Sequence, residues 1–282
     1  MVKLNVLNLE KSEYKGGKSS LCPGCGHDQI SNVIIQAAWE NGIKPESIFV
    51  NEPNPSTWLL GLSGINLNES LPNDAAVCVL AVKPQVMKNA LPQITKFKNS
   101  KTVLLSIAAG STIKMFEEEL GEASRVVRAM PNTPASVNKG ITAIVGNNFS
   151  SESDLILSES LMNSVGQTLR LENESQMDAV TAISGSGPAY VFYLIEALAM
   201  AGEKQGLSSS LSMKLAQATV IGAGVLSDSS LETPSQLRIN VTSPGGTTQA
   251  ALEVLMDEEL GLSPLLSKVV EAATKRGKEL GS

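Results

Sequence analysis

Two of the chain's three cysteines and its single histidine lie together in "SSLCPGCGHDQ", at Cys22, Cys25 and His27. Thiolate and imidazole groups at this spacing can bind metal, but a structural zinc or a cubane cluster normally takes four ligands. The third cysteine, Cys78, lies in the apolar run "AAVCVLAV", where a small core role suits it better. We therefore predict no dedicated metal site, and adventitious zinc at the first three residues stays open.

The same stretch places Gly24 and Gly26 directly before a helical pattern at 28–41. A glycine turn that opens a helix presents backbone N–H groups to phosphate, so this turn could hold the pyrophosphate of a dinucleotide. The preceding strand-like run is 2–9, and a connection of about eighteen residues separates it from the helix. A tight turn would fit better, so we expect weaker cofactor binding.

A second glycine turn opens "NVTSPGGTTQAALEVL" at 240–255, where Pro244, Gly245 and Gly246 precede a helix that begins at Thr247 or Thr248. Unpaired amides and the positive end of the helix dipole would hold a small carboxylate or phosphate. The hydroxyls could instead merely cap the helix, but two glycines exceed what capping needs. A third turn, 184–188, suits close packing at least as well as an anion contact.

Polar or small residues also follow three successive strand-like runs. These are Lys83 and Pro84, then Ala108, Ala109 and Gly110, and then Asn132 and Thr133 between two prolines. An open α/β sheet binds ligands at the carboxyl ends of its strands, so three such ends in succession predict a cofactor groove.

The predicted secondary structure that must position these residues changes near residue 172, from alternating strands and helices to helices alone. Before it, apolar runs alternate with amphipathic helical patterns, which is typical of a parallel α/β sheet of the Rossmann type. The predicted strands are 2–9, 47–53, 75–84, 102–110, 124–134, 141–147 and 168–171. From 173 to 282 the pattern is helical, which gives a dinucleotide-binding domain at 1–172, atypical over 1–43, and an all-α domain after it. Helices apolar on more than one face, such as 189–202, indicate dimeric packing or a central buried helix.

Composition excludes several classes of function. A net charge of −6 and a pI near 5.0 argue against a nucleic-acid partner. The longest apolar run, 75–82, is too short to span a bilayer. Three cysteines without a signal-peptide pattern favour a reducing, cytoplasmic location.

Five motifs resemble, in order and spacing, those of the pyrroline-5-carboxylate reductases: "AVKPQ", "SIAAG", "RAMPNTP", "AISGSGPAYVFYLIEAL" and "LRINVTSPGGTTQAALEVL". The resemblance runs from about residue 43 to the end of the chain. It implies a Rossmann domain, a helical dimerisation domain that completes the active site, a homodimer or a ring of dimers, and reduction of a cyclic imino acid to L-proline.

The resemblance also implies residue roles. The amides of Gly246, Thr247 and Thr248, in the turn with Gly245 and with Ser243, would hold the substrate carboxylate, and the Thr248 hydroxyl would lie near the ring nitrogen as the catalytic group. The nicotinamide and its ribose would be lined by Ala81, Val82, Lys83, Pro84, Ala108, Ala109 and Gly110. Asn68 would contact the adenine-side ribose or its phosphate.

The cofactor implied by the family is NADPH, but Glu52 stands near where a 2′-phosphate would lie. An acid there accepts a hydrogen bond from a 2′-hydroxyl, so NADH stays open.

The chain departs from the family at its beginning, which lacks the tight Gly-x-Gly turn. Residues 10–43 instead resemble part of the beta subunit of 2-oxoacid:ferredoxin oxidoreductases. That other activity is not expected, because the acidic metal-binding segment needed for thiamine diphosphate is missing. The alternative to an active reductase is a catalytically weak or inactive chimera that retains only the helical assembly domain.

Overall fold

The computed structural model describes residues 42–52, 55 and 57–281. The predicted strand 2–9 and helix 28–41, the turn at Gly24 and Gly26, the cluster of Cys22, Cys25 and His27, and the segment 10–43 that resembles another family lie outside the described residues, apart from 42 and 43. The chain divides into two compact units. The first runs to Gly185 and resumes at Lys275, and the second is Ser186–Thr274.

The first unit contains two sheets. A two-stranded parallel sheet joins β1 to β2, and a five-stranded sheet follows the order β3-β4-β5-β6-β7. The strands are β1 Phe49–Val50, β2 Asn66–Leu67, β3 Val77–Leu80, β4 Val103–Ser106, β5 Arg125–Met130, β6 Gly140–Gly146 and β7 Gly166–Arg170. In the order 3-2-1-4-5-6 of a dinucleotide-binding sheet, β2 and β1 match positions 3 and 2, and β3 and β4 match positions 4 and 5. No strand among the described residues occupies position 1.

The predicted parallel sheet is confirmed for three of the four pairings in the larger sheet, and β5 and β6 are antiparallel. A parallel return needs a crossover of a dozen or more residues, and the connection 131–139 is too short for one. The sequence pattern did not reveal this reversal, because an apolar strand reads alike in both directions.

The middle strands of the larger sheet are buried on both faces. Leu104 and Val126 pack in one apolar cluster with Phe116, whereas Leu105 and Val127 pack in the other. Successive side chains of a strand point to opposite faces, so a strand covered on both sides is mostly apolar. This explains the apolar run at 103–105 in β4.

Helices accompany the sheets of the first unit, and the second unit is built of helices alone. The helices of the first unit are α1 Thr57–Leu60, α2 Met87–Ala90, α3 Ile113–Leu120, α4 Glu152–Asn163 and α5 Met177–Val180. The later helices are α6 Gly187–Lys204, α7 Ser209–Ser229, α8 Pro234–Asn240, α9 Thr247–Leu255 and α10 Leu262–Leu280. The last residues of α10, from Lys275, belong to the first unit, as do α5 and the π-turn Thr181–Gly185.

The second unit leaves many large apolar side chains exposed. Phe192 and Tyr193 on α6 are 60% and 69% exposed, and Ile221, Val225 and Leu226 on α7 are exposed as well. Large apolar side chains exposed on two helices that pack against each other are typical of a protein interface. This exposure favours dimeric packing over the alternative of one helix buried within its own chain.

Among the helices within the described residues, none combines the length and the apolar character that crossing a bilayer requires.

Cys78 lies in β3 against the apolar cluster, and burial raises the pKa of its thiol to about 11 from 9.0. We predict that iodoacetamide at neutral pH leaves Cys78 unmodified in the folded protein and alkylates it in guanidinium chloride, because the thiolate is the nucleophile. As pH rises, the Cys78 thiol ionises at a lower pH in the unfolded chain than in the folded protein. The contribution of Cys78 to the free energy of unfolding therefore falls as pH rises from about 9 toward about 11. Peptide mass spectrometry measures the labelling, and rapid labelling of native protein would contradict the assignment.

Candidate active site

The turn after β4 lies at the carboxyl edge of the larger sheet. The Ser106 hydroxyl accepts from the Ala108 amide at 3.3 Å, and the Ser111 amide donates to the Ala108 carbonyl at 3.4 Å. Ala108 is buried, Ala109 is exposed, and Gly110 has a φ of +73°, where glycine is favoured. The turn therefore presents small side chains and backbone at the strand end.

The neighbouring strand β3 brings the segment 81–84 to the same edge. The Ile107 amide donates to the Leu80 carbonyl at 3.1 Å, which holds the two strand ends together. Ala81 and Val82 are half-buried, Lys83 is exposed and extended, and Pro84 starts a 3₁₀ turn. The structure thus places the two predicted nicotinamide-lining segments on adjacent parallel strands.

Asn132 follows β5, and its side chain is engaged with main chain on two sides. Its Oδ1 accepts from the Ile141 amide at 2.9 Å, and its Nδ2 donates to the Ser184 carbonyl at 3.1 Å. A Cβ at Gly185 would lie 2.8 Å from the Met130 methyl carbon, so the turn 184–188 is closely packed at Gly185, whereas a Cβ at Gly187 would meet nothing within 4 Å. The Asn132 side chain thus joins the backbone at Ile141 to the backbone at Ser184. Its contact with a cofactor stays a prediction.

Asn68 follows β2 and has the left-handed φ of +55° that asparagine tolerates. Its Oδ1 accepts from the Glu52 amide at 2.8 Å, and its Nδ2 donates to the Glu52 carbonyl at 2.9 Å. This pair of bonds fixes the backbone of Glu52 where β1 ends. Asn68 therefore has a positioning role that the sequence did not reveal, and its predicted contact with the ribose is untested.

The turn Ser243–Gly246 lies in the second unit and precedes α9. The Gly246 amide donates to the Ser243 carbonyl at 3.0 Å, and Gly245 has a φ of +70° after Pro244, which matches a type II turn. As the sequence indicates, the helix begins at Thr247, and the Ala250 amide donates to the Gly246 carbonyl at 3.3 Å. The amides of Thr247 and Thr248 precede this first helical bond.

Gln249 is a residue of this turn that the sequence reasoning missed. Its Oε1 accepts from the Gly245 amide at 2.7 Å, so the amides of Gly245 and Gly246 are both engaged within the turn. This narrows the predicted anion site to the amides of Thr247 and Thr248 and to nearby hydroxyls. The sequence signal for this contact was a glutamine at the third position of the helix. In a capping box, a side chain at that position accepts a hydrogen bond from a backbone amide just before the helix.

An ion pair with a buried arginine lies at the start of α3, the helix that follows the turn after β4. Arg128 Nη1 donates to Glu174 Oε1 at 2.7 Å, and the same oxygen accepts from the Ile113 amide at 2.9 Å. The sequence signal was Arg128, an arginine that follows two valines inside the strand Arg125–Met130, since a buried charge requires a partner.

Within the part of the chain that the structure describes, no group of three or more His, Cys, Asp and Glu side chains could hold a metal ion. The cluster at Cys22, Cys25 and His27 lies outside that part.

Comparisons with known proteins cover nearly the whole chain. Residues 174–280 match a family model described as pyrroline-5-carboxylate reductase dimerisation. A pyrroline-5-carboxylate reductase of Synechocystis is 38% identical over 256 residues, which cover 88% of this chain and 93% of the relative. One from Pseudomonas aeruginosa is 41% identical over 207 residues, 73% of this chain and 75% of the relative.

Solved structures agree with these relatives. The pyrroline-5-carboxylate reductase of Coxiella burnetii matches with a TM-score of 0.82 at 35% identity, over 91% of this chain and 97% of that one. The Plasmodium falciparum pyrroline carboxylate reductase, solved with NADP bound, matches with a TM-score of 0.74 at 32% identity, over 90% of this chain and 95% of that one. The motifs, the fold and these similarities together establish that this chain belongs to the pyrroline-5-carboxylate reductase family.

Proposed function

We propose that this chain reduces 1-pyrroline-5-carboxylate to L-proline, the last step of proline biosynthesis, with NADPH and with NADH as an alternative reductant. The observation that carries the proposal is similarity to named reductases, at 38% identity over 93% of the length of one relative and 41% identity over 75% of another. The strand-end turns of the first unit and the glycine turn before α9 supply the two kinds of binding surface that this reaction needs.

The cofactor-binding edge fits a nicotinamide because its side chains are small. Ala81, Ala108, Ala109 and Gly110 leave room for a flat ring beside the ends of β3 and β4. A reduced nicotinamide supplies the hydride. The segment that would hold the pyrophosphate, at Gly24 and Gly26, lies outside the described residues, and its role stays a prediction.

The substrate is a cyclic imine that carries a carboxylate. The amides of Thr247 and Thr248 at the start of α9, with the Ser243 hydroxyl, would bind the carboxylate. The Thr248 hydroxyl would orient the ring nitrogen. When the imine binds protonated, addition of hydride to the C=N carbon neutralises the cation, and the nitrogen keeps its proton as an amine. The protein then acts by positioning and needs no strong general acid.

Assembly and location follow the same proposal. The match to a dimerisation family model and the exposed apolar surface of α6 and α7 support a homo-oligomer, which we propose to be a homodimer or a ring of dimers. The functional division near residue 172, the absence of a nucleic-acid partner and the cytoplasmic location stay predictions.

Purified protein incubated with racemic pyrroline-5-carboxylate and NADPH should consume the reductant, as measured by loss of nicotinamide absorbance and by the proline formed. NADH in a parallel reaction tests the alternative reductant. A folded oligomer that neither binds nicotinamide nor forms proline would instead support the inactive chimera.

The glycine turn before α9 gives a prediction with a matched control. Gly245 and Gly206 both have positive φ, +70° and +91°, and a Cβ added at either would meet nothing within 4 Å. Alanine at either position should therefore cost a similar backbone strain of about 1 kcal/mol. Gly245→Ala should also raise the KM for pyrroline-5-carboxylate, because the strained turn displaces the amides of Thr247 and Thr248, whereas Gly206→Ala should not. Thermal melts and steady-state kinetics test both effects, and equal KM values would argue against the carboxylate site.

The backbone of Glu52 is fixed at the end of β1, where an acid disfavours a 2′-phosphate. We expect Glu52→Gln to raise the ratio of kcat/KM for NADPH to that for NADH by about tenfold, because a like-charge repulsion is removed. Glu46→Gln, in the exposed 3₁₀ turn Pro45–Ser47 before β1, serves as the control. A ratio unchanged by Glu52→Gln would show that Glu52 does not select the cofactor.

A further inference from the structure

Glu174 joins three elements of the first unit at one carboxylate oxygen. It begins the 3₁₀ turn Glu174–Gln176, and its Oε1 accepts from Arg128 Nη1 on β5 at 2.7 Å and from the Ile113 amide of α3 at 2.9 Å. The Ile113 amide belongs to the first turn of α3, where helical amides have no acceptor within their own helix.

The position of Glu174 is imposed by Arg128. The Arg128 side chain is only 5% exposed, and that of Glu174 is 28% exposed. A guanidinium so deeply buried must be paired, since an uncompensated buried charge strongly destabilises the fold. The carboxylate is thereby held at the start of α3, where its negative charge also complements the helix dipole.

Fixing the start of α3 fixes the cofactor turn. Thr112 caps α3 by accepting from the Met115 amide at 3.2 Å, and Glu174 satisfies the Ile113 amide. Only residues 107–112 separate β4 from α3, and bonds to Ser106 Oγ and to the Ala108 carbonyl close this segment internally. Because this connection is short, a shift of the Ile113 amide would also move the backbone of Ala109 and Gly110.

The end of α10 lies close to the other side of the turn. A Cβ at Gly110 would lie 3.4 Å from the Leu280 carbonyl oxygen, and one at Gly281 would lie 3.4 Å from the Gly110 carbonyl oxygen. The turn therefore lies close to the end of α10 on one side and continues into the start of α3, which Glu174 contacts, on the other.

We propose that Glu174, held by the buried Arg128, is a positioning residue for the nicotinamide-lining turn Ala108–Gly110. This inference rests on the proposed function, because it assigns that turn to the cofactor. Glu174 touches neither substrate nor cofactor in this scheme and acts through the Ile113 amide.

The Arg125–Asp154 pair provides a matched control on the same strand. Arg125 Nη1 lies 3.2 Å from Asp154 Oδ1, the Asp154 side chain is 8% exposed, and its Oδ2 accepts from the Ser151 amide that begins α4. This pair lies at the opposite end of β5 from the cofactor edge. Asp154 and Glu174 thus each join an arginine of β5 to the start of a helix. Only the helix that Glu174 contacts, α3, follows the turn Ala108–Gly110.

Glu174→Gln should raise the KM and the Kd for NADPH about tenfold, because small misplacements of a binding segment are costly, and leave the KM for pyrroline-5-carboxylate within about twofold. Asp154→Asn should lower the melting temperature without changing either constant. The double variant Arg128→Met/Glu174→Leu removes both buried charges, so it should fold stably and still show the raised NADPH constants. Normal NADPH constants in this double variant would overturn the inference.

Hydrogen exchange separates this inference from the proposed function. In Glu174→Gln and in the double variant, the amides of residues 108–115 should exchange faster than in the unmodified protein, while those of α4 keep their rates. Absence of NADPH binding by the unmodified protein would defeat the proposed function and, with it, the cofactor role of the turn. Normal NADPH binding with unchanged exchange at 108–115 in the variants would defeat the positioning role alone.

Discussion

Burial of β4 and β5 on both faces is the constraint on which the rest of the first unit depends. Leu104, Leu105, Val126 and Val127 are fully buried, so these strands cannot slip in register without moving apolar groups out of two clusters at once. Their ends are therefore fixed relative to one another. The turns after β3, β4 and β5 that are proposed to contact the cofactor therefore begin at strand ends whose positions the core sets.

Polar side chains then fix the turns that follow these strand ends, because they bond the sheet to neighbouring segments. Arg128 with Glu174, Arg125 with Asp154, and the side-chain amide of Asn132 each join the sheet to a neighbouring helix start or turn. Such groups are costly to bury unless paired, so each tolerates few arrangements of its surroundings. The same chemistry recurs around the smaller sheet, where Asn68 brackets the backbone of Glu52.

The second unit follows a different logic. Its two longest complete helices, α6 and α7, leave Phe192, Tyr193 and Ile221 exposed, which favours a second chain that covers them. The turn Ser243–Gly246 belongs to this unit and is organised locally, by Pro244, by the positive φ of Gly245 and by the side chain of Gln249. Folding and association of the helical unit are therefore expected to be linked.

Much of this organisation could be predicted from the sequence, because it depends on local pattern. The apolar runs located the described strands to within a few residues, and the glycine turn before Thr247 marked the start of a helix. The short β2 at Asn66–Leu67 was missed, since two residues carry no periodicity. The motifs from "AVKPQ" to "TSPGGTTQ" indicated the family because their residues, order and spacing resemble those of its members.

Residue types and spacing thus determined the fold class, the family and the segments able to do chemistry, because periodicity and turn composition are properties of neighbouring residues. Only the tertiary structure decided which amides the turns consume internally, that β6 reverses against β5, and that Glu174 meets both Arg128 and Ile113. Glu174 is 46 residues from Arg128 and 61 from Ile113 along the chain. Contacts at such separations depend on how the sheet and its helices pack, which no local pattern encodes.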